Sequence, residues 1–519
     1  MKHNKLIIGI FFVALALASA SCKKYLDNAF PNPNKPVVVD PDLVFPSMVN
    51  IMARGVQFDS RFITRYDQML ANTTAGTTWD RMGYDPGSDN GGDQWRTNYY
   101  GLGKNLLNLI NDARSSGRPA YVGAGYAMFA WSWLLLTDIH GEVILKEAFH
   151  SDQLTFKYDT QEDVYTYVKL LCDSAIIYLS EAKAIPTTTF AIGDQYFYGG
   201  DVDKWIKFTN GVRAKLYNRY INKANYNPDS VIYYADLSLA SAADDALVKY
   251  MPNPIFTDQM NFFGPTRNNM GGYRQTDWFI RMMNGTFFPG AVDPRMKYIF
   301  KQSKDGTYRG LTVNSGETAL DTSQRPPNFW GLYSTAAPAG GVDTGARTYF
   351  KNQSPFPIMT YAEIQFIKAE AAFKKGDKAT AYTAYMNGIN GSFDELLGNG
   401  YKGYTPITAT DRTTFLTSPS IAVTPAGLTL SNIMLQKFIA LWFWGHEEVW
   451  VDLRKYQYDP NIFTAFTPPA VLYPDNGGKL AYRIRPRYNS EYLWNVEELK
   501  RIGGLDLDYH TKPIWFSIP

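Results

Sequence analysis

The stretch "YAEIQFIKAEAAFKKGDKATAYTAYMNGING", residues 361–391, decides the fold. Apolar residues recur at helical spacing on both sides of Gly376, which predicts a helical stop, and Asp377 then caps a second helix. Ala369, Ala371, Ala372, Ala381 and Ala384 place small side chains where two antiparallel helices can approach closely. Such a pair resembles a tetratricopeptide-type unit. No clean 34-residue self-similarity runs along the chain, so any array of such units is degenerate.

Other segments read the same way. Leu102, Leu106, Leu109 and Ile110 share a helix face, and "YVGAGYAMFAWSWLLLTDIHG" (121–141) is apolar nearly all round, which predicts a helix buried on several sides. "DTQEDVYTYVKLLCDSAIIYLSEA" (159–182) opens with Asp159 or Thr160 as cap, and "GDVDKWIKFTNGVRAKLYNRYINKA" (200–224) with Asp201 or Asp203. Cys172, in the first of these, reads as a buried small hydrophobe. Leu435, Ile439, Trp442, His446, Val449 and Leu453 fall at steps of 4, 3, 4, 3 and 4, predicting one continuous helix. On it His446 is a core histidine, Asp452 pairs with Lys455, and Glu447 and Glu448 meet basic side chains of a neighbouring helix.

Two segments differ: residues 71–94, and residues 250–358, rich in Pro, Gly and Asn. Loops this long carry function or are disordered, and their aromatic residues argue against disorder. The expectation is a loop-rich subdomain lying on a helical scaffold.

The N-terminus is a separate matter. Lys2 and Lys5 precede an apolar run from Leu6 to Ala18, and small residues lead to Cys22. The run suits a signal peptide over 1–21 and is short for a membrane span. "SASC" is similar to a bacterial lipobox, although Ser19 stands where Leu is usual, so lipidation of Cys22 is expected. Acyl chains there would anchor the protein to a membrane, with 22–47 as an extended tether and 48–519 as a single domain.

Lys and Arg total 51 and Asp and Glu 49. Without Lys2 and Lys5 the balance is 49 to 49, and no long basic run exists, which argues against nucleic acid as a partner. His446 is followed by Glu447 but Trp450 stands where HExxH needs a second histidine, and no GxSxG elbow appears. No metal or catalytic residue is therefore assigned. In "DPGSDNGGD" (85–93) Asp85, Asp89, Asn90 and Asp93 offer oxygen ligands for calcium, but EF-hand spacing is absent and a polar turn is the simpler expectation.

Five stretches together resemble one family. "TDIHGEVILKEAF" (137–149) is similar to the "YGdvPysEA" segment of SusD/RagB-type outer-membrane lipoproteins of Bacteroidetes, with Val143, Ile144 and Leu145 departing from the usual Pro-Tyr. "KYDTQEDVYTYV" (157–168), "YFYGGDVDKWIKFTNGVRAKLYNRY" (196–220), "PIMTYAEIQFIKAEAAFKKG" (357–376) and "KFIALWFWGHEEVWVDLRKY" (437–456) resemble further family signatures, in the family's order.

The resemblance implies a mainly α fold, in which tetratricopeptide-like helix pairs form a right-handed superhelical scaffold beneath an irregular ligand-binding region. It further implies a lipid-anchored protein of the outer membrane, facing outward, that is not an enzyme. Its partner would be a SusC-like TonB-dependent transporter, and its ligand an oligosaccharide, or a peptide as in RagB-like members. A secreted glycoside hydrolase is the alternative of a different class.

Sugar binding asks for exposed aromatic faces with hydrogen-bonding side chains beside them. Loop residues are the expected ones: Trp79, Asp80, Arg81 and Tyr84; Tyr273, Arg274 and Trp278; Trp330 and Tyr333. Trp95, Trp131, Trp133, Trp205, Trp442, Trp444 and Trp450 are assigned to packing.

Overall fold

The computed structural model describes residues 39–519 except 86, 151 and 187. The expected signal peptide, Cys22 and nearly all of the expected tether lie outside the described residues. The compact unit begins at Pro41, where helix α1 (Pro41–Tyr66) starts with Asp42 in its first turn, so residues 41–47 belong to a helix and not to a tether. Pro41 occupies the helix start, where its missing N–H is no loss.

The scaffold follows: α2 (Lys104–Ser115), α3 (Pro119–His140), α4 (Gln161–Ala182), α5 (Val202–Asn218), α6 (Pro228–Asp236), α7 (Tyr361–Lys375), α8 (Lys378–Gly398), α9 (Leu430–Ala440) and α10 (His446–Lys455). From α2 to α9 each helix packs on the one before it, the arrangement of an α-solenoid. Helix accounts for 51% of residues and strand for 4%, so the fold is mainly α.

The local signals act as expected. Gly376 ends α7 in the left-handed conformation at φ +89°, and the Asp377 side chain accepts from the Thr380 N–H at 3.0 Å to start α8. The five alanines of this pair are buried, and a Cβ at Gly388 would lie 2.8 Å from the Phe366 ring, so only glycine permits that approach. Every residue of α3 except Tyr126 is buried. Thr160 caps α4 and Asp201 caps α5. Asp159 instead accepts from the Leu145 and Lys146 N–H groups. Cys172 is buried, and burial pushes its thiol up to about 12.

The expected continuous helix over 435–453 is broken. Residues 441–445 leave the helical path between α9 and α10, and Phe443 adopts φ +74°. The cause is an aromatic cluster contributed by the loop-rich region. Trp442 stacks on Phe279 at 5.3 Å, and Phe443 meets Phe263 at 4.3 Å. Burial of several such rings outweighs the loss of one helical turn.

Beneath the break, α3, α5, α7, α9 and α10 meet in a buried network of charges. Glu448 takes both terminal nitrogens of Arg219 (3.0 and 2.5 Å), Lys437 (3.0 Å) and Lys215 (3.4 Å). Arg219 also reaches Asp138 (2.8 Å), Lys215 reaches Glu363 (2.7 Å), and Asp452 joins Lys437 to Lys455 (2.8 Å each). Lys455 continues to Glu370 at 2.9 Å. The expected Asp452–Lys455 pair and the basic partners of Glu448 are therefore present. Glu447 is buried with one carboxyl oxygen unpartnered among the described residues. His446 is buried, its Nδ1 is 3.1 Å from the Phe443 carbonyl, and burial holds it neutral by lowering its pKa to about 3.

Strands β1 (Leu70–Asn72), β2 (Ala246–Val248), β3 (Tyr273–Gln275) and β4 (Phe356–Met359) form two antiparallel pairs. Pairing of β2 with β4 brings residue 246 beside residue 359, so the loop-rich segment is an insertion pinched off between α6 and α7. Pairing of β1 with β3 ties the insertion to the other loop region, 71–94.

Candidate functional site

The β1–β3 pair sets Asn72 opposite Tyr273 and so joins the two loop regions singled out in the sequence. The Thr73 N–H donates to the Gly272 carbonyl at 2.9 Å, the Glu317 N–H to the Thr73 carbonyl at 2.8 Å, and the Gly76 N–H to Asn314 at 3.1 Å. Gly316 (φ +67°) lies so close to the 73–75 backbone that a Cβ would sit 2.7 Å from the Ala75 nitrogen. The tip Thr74–Ala75–Gly76 is left exposed.

Most of the expected ligand residues hold this junction together and face inward. Trp79 is buried against Phe62, Tyr66 and Tyr84, and its indole N–H donates to Asp85 at 2.9 Å. Asp80 is buried, accepts the Asn72 N–H at 2.9 Å and faces Arg65 at 3.5 Å; burial raises its pKa, with Arg65 opposing. Arg81 donates to the Val471 and Leu472 carbonyls. Tyr84 is buried beneath Arg485. Arg274 is buried and donates to the carbonyls of Pro326, Gly271, Tyr273 and Ser334.

Trp278 donates to the Thr464 carbonyl and Trp330, 0% exposed, to the Phe263 carbonyl at 2.8 Å. The expectation that Trp79, Trp278 and Trp330 offer stacking faces is corrected on this ground. These rings belong to the continuous core between the loop regions and the scaffold: Trp79 packs on Phe62 and Tyr66 of α1, and Trp278 on Phe438 and Phe466. Tyr333 is 41% exposed, with Lys301 and Lys304 over its ring and its hydroxyl on the Gln302 carbonyl. Tyr273 is half-buried.

The junction also holds a basic, aromatic cluster that sequence reasoning missed, with Phe58, Arg61 and Tyr273 half-buried and Phe62, Arg65 and Phe262 buried beside them. On α1, Phe58, Arg61, Phe62 and Arg65 share a side at helical spacing. The Arg61 guanidinium lies over Phe58 at 4.3 Å, Phe262 at 5.0 Å and Phe62 at 5.4 Å. Its Nε donates to the Phe58 carbonyl at 3.3 Å, and among the described residues it forms no ion pair. Burial draws its pKa below the ordinary arginine value, while Tyr273, Asp59 and Asp93 nearby favour its charge.

Arg65 lies 5.6 Å from the Tyr273 ring, and the Tyr273 hydroxyl has no hydrogen-bond partner among the described residues. Arg54 and Arg267 flank the same Phe262 ring but are engaged with Asp258. A stacked guanidinium with free terminal nitrogens, beside a free phenol, is a preorganised set of donors for hydroxyl or carboxylate oxygens.

Two carboxylates of the same region, Asp59 and Asp93, are neighbours. Asp59 is pushed well up by burial and by Asp93, but its oxygens accept the N–H groups of Asp93 (3.1 Å) and Gln94 (2.8 Å). It starts the short helix Asp93–Arg96. The oxygen ligands considered for calcium are dispersed. Asp85 faces Trp79, and Asp89 is bound by Arg487 (2.6 Å) and Asn489. Among the described residues no group of three His, Cys, Asp or Glu side chains is arranged to hold a metal, and no helix is long and apolar enough to cross a membrane.

Comparison with known proteins bears on the whole chain. No curated protein matches it. Among solved structures it is similar to a SusD/RagB family protein from Bacteroides thetaiotaomicron (22% identity, TM-score 0.64, covering 91% of this chain and 98% of that one). It is similar to a chitin-binding SusD homolog from Flavobacterium johnsoniae (19%, 0.67, 92% and 98%). A SusD homolog from Bacteroides fragilis matches at 20% identity with TM-score 0.69, over 92% of this chain and all of that one. At these identities the likeness concerns the fold. The SusD-like family profile, described as "Starch-binding associating with outer membrane", matches residues 33–484, and the chain belongs to that SusD-like family.

Proposed function

We propose that this protein captures an oligosaccharide outside the cell at the Arg61–Tyr273 face and passes it to a SusC-like TonB-dependent transporter. The observation that carries the reading is the half-buried, stacked Arg61, whose terminal donors are free beside an unpartnered tyrosine hydroxyl. Buried polar groups normally find partners within the protein, and a sugar supplies both ring faces and hydroxyls to such a pair. The family's starch-binding description and the chitin-binding relative support a glycan over other ligands.

Anchoring through Cys22 completes the reading, because a lid over a transporter must stay at the membrane. The hydrolase alternative is not favoured. Burial raises Asp194 to about 7 and Glu395 to about 8, but Asp194 accepts from the Trp205 indole and Glu395 from the Tyr349 hydroxyl, inside the core.

The test is a combined glycan and peptide array on the purified chain. Signal on glycans alone supports the reading; signal on peptides alone replaces it with RagB-like capture. Separately, Cys22→Ala is expected to move the protein from the membrane fraction to the soluble one, and an unchanged fraction would remove the anchor.

A further inference from the structure

A cavity is lined by residues other than those of the Arg61–Tyr273 face. It measures about 470 Å³, within the range of small-molecule sites. Trp95, Tyr99, Tyr100, Phe149 and Phe156 form its aromatic walls, and Arg96 and Arg487 also line it.

Its backbone is unusual. The two π-helical segments among the described residues are Thr97–Gly103 and Tyr488–Tyr492, and both line this cavity, through Tyr99 and Tyr100 on one side and Ser490 and Glu491 on the other. π-Helical turns are rare and concentrate at functional sites. Phe149, on the third wall, holds φ +67°, a costly conformation for an aromatic residue. Gly103 makes room for it, since a Cβ there would lie 2.4 Å from the Phe149 ring.

The polar groups select the ligand. Trp95 is 3% exposed, yet its indole N–H has no acceptor among the described residues. Arg96 is 57% exposed, lies 5.7 Å from the Tyr100 ring, and its nearest carboxylate, Asp93, is 3.9 Å away. It is thus a solvent-accessible cation, held only by a long pair with Asp93, beside an exposed aromatic face. The acid on the wall, Glu491, is engaged by the Tyr158 hydroxyl (2.7 Å) and Asn495 (2.9 Å), and burial lifts its pKa, so it repels an incoming anion little.

Part of the lining backbone is already paired: the Ala148 N–H donates to the Leu145 carbonyl and the Phe156 N–H to the Asn495 side chain. The N–H of Val143 pairs with the Asp159 carbonyl, and those of Leu145 and Lys146 with the Asp159 carboxylate. A ring bearing a carboxylate matches aromatic walls with a guanidinium at the side.

We propose that this cavity binds an acidic monosaccharide unit, a hexuronate, with its ring against the exposed Tyr100 and its carboxylate on Arg96. The site is independent of the Arg61–Tyr273 reading, and either one stands if the other fails.

The test titrates the purified full chain with D-glucuronate, D-galacturonate, D-glucose and the dipeptide glycyl-phenylalanine by calorimetry. Saturable binding of at least one uronate, stronger than that of glucose, is expected. Arg96→Gln and Tyr100→Ala, both at exposed positions, should each weaken it tenfold or more with unchanged melting. No saturable uronate binding, preference for the dipeptide, or loss in Arg61→Ala but not in Arg96→Gln would overturn the assignment.

Discussion

Two clusters of charge in this molecule are built from the same residue types and are arranged in opposite ways. In the five-helix junction Arg219, Lys215, Lys437 and Lys455 are matched closely by Asp138, Glu363, Glu370, Glu448 and Asp452. On the face between α1 and the insertion, Arg61 is held by rings and left without a carboxylate. The first is closed to outside ligands because each partner is internal. The second keeps its donors available, which is what recognition requires and stability does not. Charge in itself marks neither role; the presence or absence of an internal partner does.

That contrast is open to breaking. Glu448→Gln removes the common acceptor of three buried cations and is expected to cost about 3–5 kcal/mol, as uncompensated buried charges do. Denaturant unfolding reads this directly, and a loss below 1 kcal/mol would show that the junction rearranges freely. Trp330→Ala should destabilise by about 3–5 kcal/mol, the usual cost of deleting a large buried ring. An affinity loss in a fully stable Trp330→Ala protein would return that residue to the ligand site.

Acid probes the junction next. Burial opposes ionisation of Glu448 and Glu370, yet Arg219, Lys437 and Lys215 hold Glu448 well below the ordinary glutamate value. Lys455 and Lys437 likewise hold Glu370 down at about 2. The unfolded chain therefore binds protons that the folded chain refuses, and stability present above pH 4.5 is lost as pH falls through about 2. Glu448→Gln should flatten that acid limb, and an unchanged limb would move the acid sensitivity elsewhere. Tyr333→Ala, at an exposed position, should change stability by less than about 0.5 kcal/mol; any clear drop in glycan affinity would extend the face toward Lys301 and Lys304.

Local rules made the scaffold readable from the chain. Gly376, Asp377, Thr160 and Asp201 act within a few residues of themselves, so their effects are visible in order along the sequence. The break at 441–445 was not readable, because it answers to Phe263 and Phe279, far away in the chain. The two loop regions were found, and β1–β3 pairing joins them, but the emphasis on tryptophan misled. Trp79, Trp278 and Trp330 all have internal acceptors for their indole N–H groups, a fact of tertiary geometry. Arg61 was hidden in the opposite way, inside a helix that reads as scaffold. The spacing of Phe58, Arg61, Phe62 and Arg65 is the signal that could have found it.

The most direct test is to place the wild-type protein and Arg61→Ala side by side on one glycan array, with thermal melting of both. Removing the donors is expected to weaken the signals of glycans without uronate units about tenfold or more, the scale of a hydrogen bond to a charged group, with melting nearly unchanged. Equal glycan signals from the two proteins, at equal melting temperature, would contradict the assignment of the ligand face to Arg61.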